Sequence, residues 1–280
     1  MSYVVVEDLT YTYPDGTNAL HGVSLSIEKG EFLALIGQNG SGKTTLSKCL
    51  NGLLLPTKGS VVVDGLSSRK ASIAQMVRRV GYVFQNPDHQ LFNSTCRDEI
   101  AYGPRNVGTP EDEVATRVEE AAGVVGLPEV YLEEHPFFLT KGLRQRVAIA
   151  AILALRPQVI IVDEPTTGQD ARQAREIMEF LTRLNQELGH TIIIITHDMD
   201  IVAAYARRVI AMADGLLVAD GAPRDVFCDV PVMERASLKP PQVTRLAGEL
   251  SDLRIPPDTL SLRELTAAFE GTGDSRSASQ

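Results

Sequence analysis

Tryptophan is absent from this 280-residue chain, aromatic residues of all kinds make up only 5%, and cysteine occurs three times, at Cys49, Cys96 and Cys228. An odd, widely spaced trio frames neither a disulfide scaffold nor a zinc site, and it suits a reducing compartment. No apolar run approaches the ~20 residues that span a bilayer, so any membrane role is expected to act through a partner. Positive charge is also short: 27 basic residues face 36 acidic ones, a net charge of −9. Without a basic block to neutralise a phosphate backbone, nucleic acid is not expected as a partner. The opening residues MSYVVVEDL lack the layout of a secretory leader, and none is expected. What remains is ordinary globular composition, 44% hydrophobic and 22% charged, enough for one large α/β domain or one domain with a small appendage.

Hydrophobic patterning divides the chain by character. Short β-branched or aromatic runs at 3–6, 23–27, 32–36, 61–63 and 82–84 are bounded by turn signals such as Pro14-Asp15-Gly16 and Lys29-Gly30. Helical periodicity takes over at 111–125 and 142–155, with a shorter candidate at 98–101. Apolar runs return at 159–162 and 191–196, separated by an amphipathic segment at 171–188. Continuous apolar runs alternating with helices predict parallel strands buried on both faces. A hairpin at 209–219 should turn at Asp214-Gly215 and close the domain near Phe227. Beyond it, helical patterns at 243–253 and 261–269 precede a polar end, 271–280, that reads as disordered.

The most specific chemistry lies at GQNGSGKT, residues 37–44, set between an apolar run and a helical pattern. That is the strand, glycine loop and helix arrangement that cradles nucleotide phosphates. Gly37, Gly40 and Gly42 let successive N–H groups of Gln38, Asn39, Ser41 and their neighbours turn inward, and the helix opening at Thr44-Thr45 adds its positive dipole end. Lys43 reaches the β- and γ-phosphates, and the Thr44 hydroxyl can ligate magnesium. The run 159–162 ends in Asp163-Glu164. An acid pair at the end of a buried parallel strand suits a metal ligand (Asp163) and a base that polarises the attacking water (Glu164). The run 191–196 ends at His197, placed to contact the γ-phosphate or that water. His21, His89, His135 and His190 are read as structural.

In this order and spacing the motifs resemble the ATPase subunits of ABC transporters, over residues 2–227. The resemblance implies ATP and Mg2+ as ligands and an α/β P-loop NTPase core of mainly parallel sheet. It adds an N-terminal antiparallel β subdomain, a helical signature subdomain at about 86–156 and a short helical extension at 229–270. By matching positions, Tyr13 takes the role of the aromatic that stacks on adenine. Gln85 becomes the glutamine that touches magnesium and water and links to the membrane partner, and Asp170 signals across a dimer. The signature segment departs from the usual LSGGQ: Leu139-Thr140-Lys141-Gly142-Leu143 keeps a hydroxyl at Thr140 and a close backbone approach at Gly142. Lys141 brings a charge that could favour phosphate, and Leu143 removes a polar side chain, so slower hydrolysis is expected at the site this segment completes.

Within that family, GYVFQNPDHQLF (81–92), EIAYGP (99–104) and PPQVTRLA (240–247) are similar to energy-coupling-factor importers, although His89 stands where that group usually has an acid. The implied function is ATP hydrolysis driving uptake of a vitamin or metal ion. The chain would act as a homodimer or heterodimer at the cytoplasmic face of the membrane, with a membrane coupling subunit and a small substrate-binding membrane protein. Alternatives are the ATPase of a conventional ABC importer or exporter, or a catalytically weak partner in a heterodimer.

Overall fold

Alternating burial turns the first thirty residues into an antiparallel pair, and unbroken apolar runs become buried parallel strands. The computed structural model describes residues 2–250, 252 and 255–277, with backbone alone for 271–277. In chain order the elements begin β1 (Val4–Thr12), β2 (Asn18–Ile27), β3 (Phe32–Ile36), α1 (Lys43–Leu50), β4 (Lys58–Val63), β5 (Leu66–Ser67), α2 (Ile73–Val77) and β6 (Val80–Val83). Then come α3 (Cys96–Asn106), α4 (Glu111–Val124), α5 (Lys141–Leu153), β7 (Val159–Asp163), α6 (Ala171–Gln186), β8 (Thr191–Ile195) and α7 (Met199–Tyr205). The chain finishes with β9 (Arg208–Ala213), β10 (Leu216–Gly221), α8 (Pro223–Cys228), α9 (Val230–Arg235), α10 (Gln242–Glu249) and α11 (Leu262–Ser277). Two compact units divide it: Met1–Glu31 with Thr44–Ile195, and Phe32–Lys43 with Thr196–Gln280.

In the first unit, β1 pairs antiparallel with β2 and β4, and β5 extends β4. Val4 and Val6 lie opposite Ile27 and Leu25 on one side and opposite Val63 and Val61 on the other, which buries one face. The register slips between Val6 and Leu9, where Asp8 adopts a φ of +46°. This bulge bends the strand before it delivers Tyr13. Gly59 allows the bulge: a β-carbon there would lie 2.3 Å from the carbonyl oxygens of Glu7 and Asp8. Parallel pairing joins β6 to β7 and β7 to β8, and the Val159–Val162 and Ile192–Ile195 side chains are buried throughout. Helices α3, α4 and α5 pack on one another. Thr95 and Thr140 cap α3 and α5, and α4 opens with Glu111, Asp112 and Glu113 against its positive dipole end.

In the second unit, β3 runs parallel to β9, and β9 turns through Asp214 (φ +48°) and Gly215 (φ +74°) into antiparallel β10. Two consecutive left-handed residues at an Asp-Gly pair are what a two-residue hairpin requires. Farther along, Ala247, Ile255 and Leu265 form a small core with Val243, Leu250 and Ala268 packed against it. Arg224 of α8 ties α11 down by bonding Glu264 Oε1 at 2.7 Å and the Asp258 carbonyl at 2.8 Å. The same guanidinium holds the Glu264 carboxyl below its ordinary range.

The expected runs all form strands, with bounds shifted by up to a few residues at most ends, while the two-residue strand β5 and four short helices were not anticipated. The helices are α2, α7, α8 and α9, and each starts from a local cap or proline: a Ser72–Gln75 capping box, Asp198, Pro223 and Asp229. Helix α3 begins earlier and runs longer than the 98–101 segment because the Thr95 hydroxyl takes up the Asp98 N–H. Helix α11 continues to Ser277, into the segment read as a disordered end. Nothing between Leu262 and Ser277 is a proline that would stop it; residues 278–280 lie outside the described residues. Gly59→Ala should lower stability by at least about 2 kcal/mol through collision with the bulge, measured by urea denaturation.

Candidate nucleotide-binding site

The glycines of the phosphate loop are needed for different reasons. Gly37 ends β3 with a φ of +148°, and a β-carbon on it would lie 2.3 Å from the Met212 carbonyl oxygen and 2.6 Å from Ser41 Oγ. There is room there only for hydrogen. Gly40 (φ +82°) and Gly42 (φ +99°) turn the backbone where a side chain would be strained. The loop is then fixed from the neighbouring hairpin, whose Gly215 N–H donates to the Ser41 carbonyl at 3.1 Å.

Inside this frame the Lys43 side chain folds back into the loop. Its Nζ donates to the Gly37 and Gln38 carbonyls at 2.8 Å each and lies 3.5 Å from Ser41 Oγ. Lys43 is 9% exposed. Gln38, Asn39 and Gly40 are exposed beside this buried ammonium, a positive potential that fits an anion, and the residue that follows Lys43 in the chain, Thr44, is exposed as well. Tyr13, expected to stack on a base, has its hydroxyl 2.9 Å from Thr45 Oγ1, and its ring meets Tyr11 edge-on at 4.9 Å.

At the end of β7 the two acids have different partners. The Tyr82 hydroxyl donates to Asp163 Oδ2 at 2.7 Å. Tyr82 is buried, and burial with the adjacent Asp163 charge pushes its phenol above the ordinary range, so it remains a donor. Glu164 takes a left-handed φ of +49°, its N–H bonds the Ile195 carbonyl at 2.8 Å, and its Oε2 accepts from the Thr167 hydroxyl at 3.0 Å. A glutamate in that conformation persists only where its surroundings hold it. Asp170 forms a reciprocal capping box with Gln173 at the head of α6.

The remaining site residues fall into place locally. Thr140 Oγ1 accepts the Leu143 N–H at 3.4 Å as the cap of α5, and a β-carbon on Gly142 would meet nothing within 4 Å. Lys141 does not point to open solvent: its Nζ donates to the Thr167 carbonyl at 3.0 Å. Gln85 is exposed just before a short 3-10 turn, Pro87–His89, that is bound to α5 by Arg144 Nε to Asp88 Oδ1 (2.7 Å) and Gln90 Nε2 to the Ala148 carbonyl (3.2 Å). His197 is exposed, two residues before α7, whose cap Asp198 accepts the Asp200 and Ile201 N–H groups. His190 is a structural histidine, with Nδ1 2.9 Å from the Pro157 carbonyl and its basicity lowered by burial. Among the described residues no group of three or more His, Cys, Asp or Glu side chains is placed to hold a metal ion. Thr44, Gln85 and Asp163 present only oxygen donors, the set a hard cation such as magnesium takes.

Sequence reasoning missed Tyr82, Thr167 and Arg144. Tyr82 carried a signal, since an aromatic with a polar tip inside a buried parallel strand must find an acceptor. Thr167, in an exposed turn, and Arg144, half-buried on α5, are polar residues whose partners no pattern announces, and they carried none.

Comparison with known proteins follows the same lines. The ABC transporter family model matches residues 20–167. The chain belongs to the ABC transporter family. A putative ABC transporter ATP-binding protein of Caldanaerobacter subterraneus is 51% identical over 88% of the chain, which spans only 43% of that longer relative. The energy-coupling factor transporter ATP-binding protein EcfA of Methanocaldococcus jannaschii is 45% identical, with 88% of each protein covered. Among solved structures, cbiO1 of Clostridium perfringens, described as part of the ABC transporter complex cbiONQ, superposes with a TM-score of 0.74. It shares 38% identity, with 90% of this chain and 99% of that one covered. The α/β fold with mixed sheets, a helical subdomain and a short C-terminal helix is that of the ABC ATPase P-loop NTPases.

Removing the Tyr82 hydroxyl in Tyr82→Phe should cost about 1 kcal/mol of stability and weaken ATP–magnesium binding severalfold, measured by thermal unfolding and equilibrium titration.

Proposed function

We propose that this chain is the ATP-hydrolysing subunit of an energy-coupling-factor importer for a vitamin or metal ion, peripheral to the cytoplasmic face of the membrane. The observation that carries the reading is the phosphate loop, with Lys43 bound to the carbonyls of the loop it closes. The likeness over nearly full length to a protein named EcfA supports the importer type. Residues 1–228 form the ATPase domain in this reading, and 229–270 the extension. No helix among the described residues is long and apolar enough to cross a membrane, so coupling runs through contact with membrane subunits.

Catalysis in this reading is positioning and charge neutralisation. Loop amides and Lys43 hold the phosphates, and Tyr13 holds the base. A magnesium ion held by Thr44, Gln85 and Asp163 would neutralise phosphate charge. Glu164 takes a proton from the water that attacks the γ-phosphorus as the bond to ADP breaks, and His197 orients that water. The N-terminus of α5, with Thr140 and Gly142, caps the γ-phosphate held by a second copy or a non-identical ATPase subunit, and Asp170 signals between the two. The empty space around Gly142 supports an outside contact, because no described residue of its own chain requires a glycine there. The membrane coupling subunit meets the segment after Gln85. Phe92 and Tyr102 stand exposed there, edge to face at 4.8 Å, while buried Glu99 holds the Phe92 and Asn93 N–H groups at 2.9 and 2.7 Å.

The altered signature favours one second reading, a catalytically weak member of a heterodimer. Glu164→Gln should reduce hydrolysis at least ~100-fold while ATP still binds, and His197→Ala should impair turnover comparably. Near-normal rates in either variant remove that residue from its role. Turnover measured for the chain alone and again with a candidate second subunit separates the two readings. Co-purification of a small substrate-binding membrane protein, with no soluble binding protein, identifies the importer type.

A further inference from the structure

The residue that departs most from the usual signature segment is already engaged inside its own subunit. Lys141 is the first residue of α5, where a cation faces the positive end of the helix dipole and gains nothing from its own helix. Its ammonium is instead extended to the Thr167 carbonyl at 3.0 Å. The turn that receives it is shaped for it. Gly168, with a φ of +71°, leaves the space the lysine tip uses, and a β-carbon there would lie 2.5 Å from Lys141 Nζ.

Thr167 continues the connection. Its hydroxyl donates to Glu164 Oε2 at 3.0 Å, and its N–H donates to the Glu164 carbonyl at 3.2 Å. Glu164 itself sits at a φ of +49° and relies on its neighbours to stay there. A chain of bonds therefore runs from Lys141 through both sides of Thr167 to the carboxylate at the end of β7. All three residues, with Gly168, lie in the same compact unit.

We propose that Lys141 is a positioning residue: it latches the turn after β7 and so holds the Glu164 carboxylate from within the same subunit. The proposal rests on the assignment of Glu164 as the base. It gives the lysine a task other than contact with a phosphate bound to a second subunit. A phosphate contact would set ATP affinity and ATP-driven association, whereas a latch sets the fraction of time the base is aligned, and so kcat.

Two readouts on the full chain separate these. Amide hydrogen exchange over 165–169 should quicken about tenfold in Lys141→Met and return to the parent rate in Lys141→Arg, which can still reach the carbonyl. Steady-state hydrolysis should show kcat lowered by about three- to tenfold in Lys141→Met, KM for ATP within about twofold, and recovery in Lys141→Arg. Thr167→Val should lower kcat similarly, and the double variant should lose no more than the worse single one, since both act on one connection. Unchanged exchange in Lys141→Met overturns the latch, and so does a raised KM with kcat intact. Faster exchange with unaltered or increased kcat overturns its role in positioning. Glu164→Gln, measured alongside, keeps the two claims apart. If that variant still hydrolyses ATP, the assignment of the base fails, while the exchange data decide the latch by themselves. Thermal unfolding and ATP binding of each variant identify any that failed to fold, and Lys141→Arg then carries the exchange comparison against the parent chain.

Discussion

The carbonyl of Met212 occupies the place where any side chain at position 37 would begin. That close approach of β9 to the end of β3 forces a glycine and makes the chain leave the strand in a left-handed conformation. The loop that follows closes on Lys43 and is held at Ser41 by the hairpin turn. In the proposed reading, anion binding would then be built from backbone geometry fixed by a strand pairing, with the lysine adding charge to a cradle that already exists. Loops fixed this way spend little free energy on ordering when a ligand arrives.

Much of this was visible in the residues. Apolar runs predicted β3, β7 and β8 because strands buried on both faces have no polar alternation to obscure them. The phosphate loop was legible because its glycines are demanded by backbone geometry, a constraint confined to a few adjacent positions. The signature segment is legible through Thr140 and Gly142, yet the bond that Lys141 makes is not. Its acceptor is a backbone carbonyl at Thr167, and a carbonyl has no one-letter code. The same reason hid Gln90, which reaches the carbonyl of Ala148, and Glu99, which gathers the N–H groups of a loop. Helices α2, α7, α8 and α9 were missed because each is short enough for its cap or its first-turn proline, more than its periodicity, to define it.

The bonds between the segment after Gln85 and α5 give the first unit a mechanical property. Arg144 and Gln90 fasten the turn Pro87–His89 and its continuation to the signature helix at two points. Displacement of one is therefore passed to the other as a body, provided both bonds persist. Arg144 also donates to the Leu139 carbonyl at 2.7 Å, which ties the entry of α5 into the same connection.

Lys141 and Arg144 both stand in the first turn of α5, and each is bound to an acceptor of its own chain, a carbonyl for one and the Asp88 carboxylate for the other. An anion that comes to this helix end meets amide dipoles and few free cations. Attraction by dipoles falls away faster with distance than attraction between charges, and dissolved salt weakens it less at contact. If α5 caps a neighbour's phosphate as proposed, capture at this helix end would be short in range and tolerant of ionic strength: it would work once that neighbour has arrived and do little to draw one in.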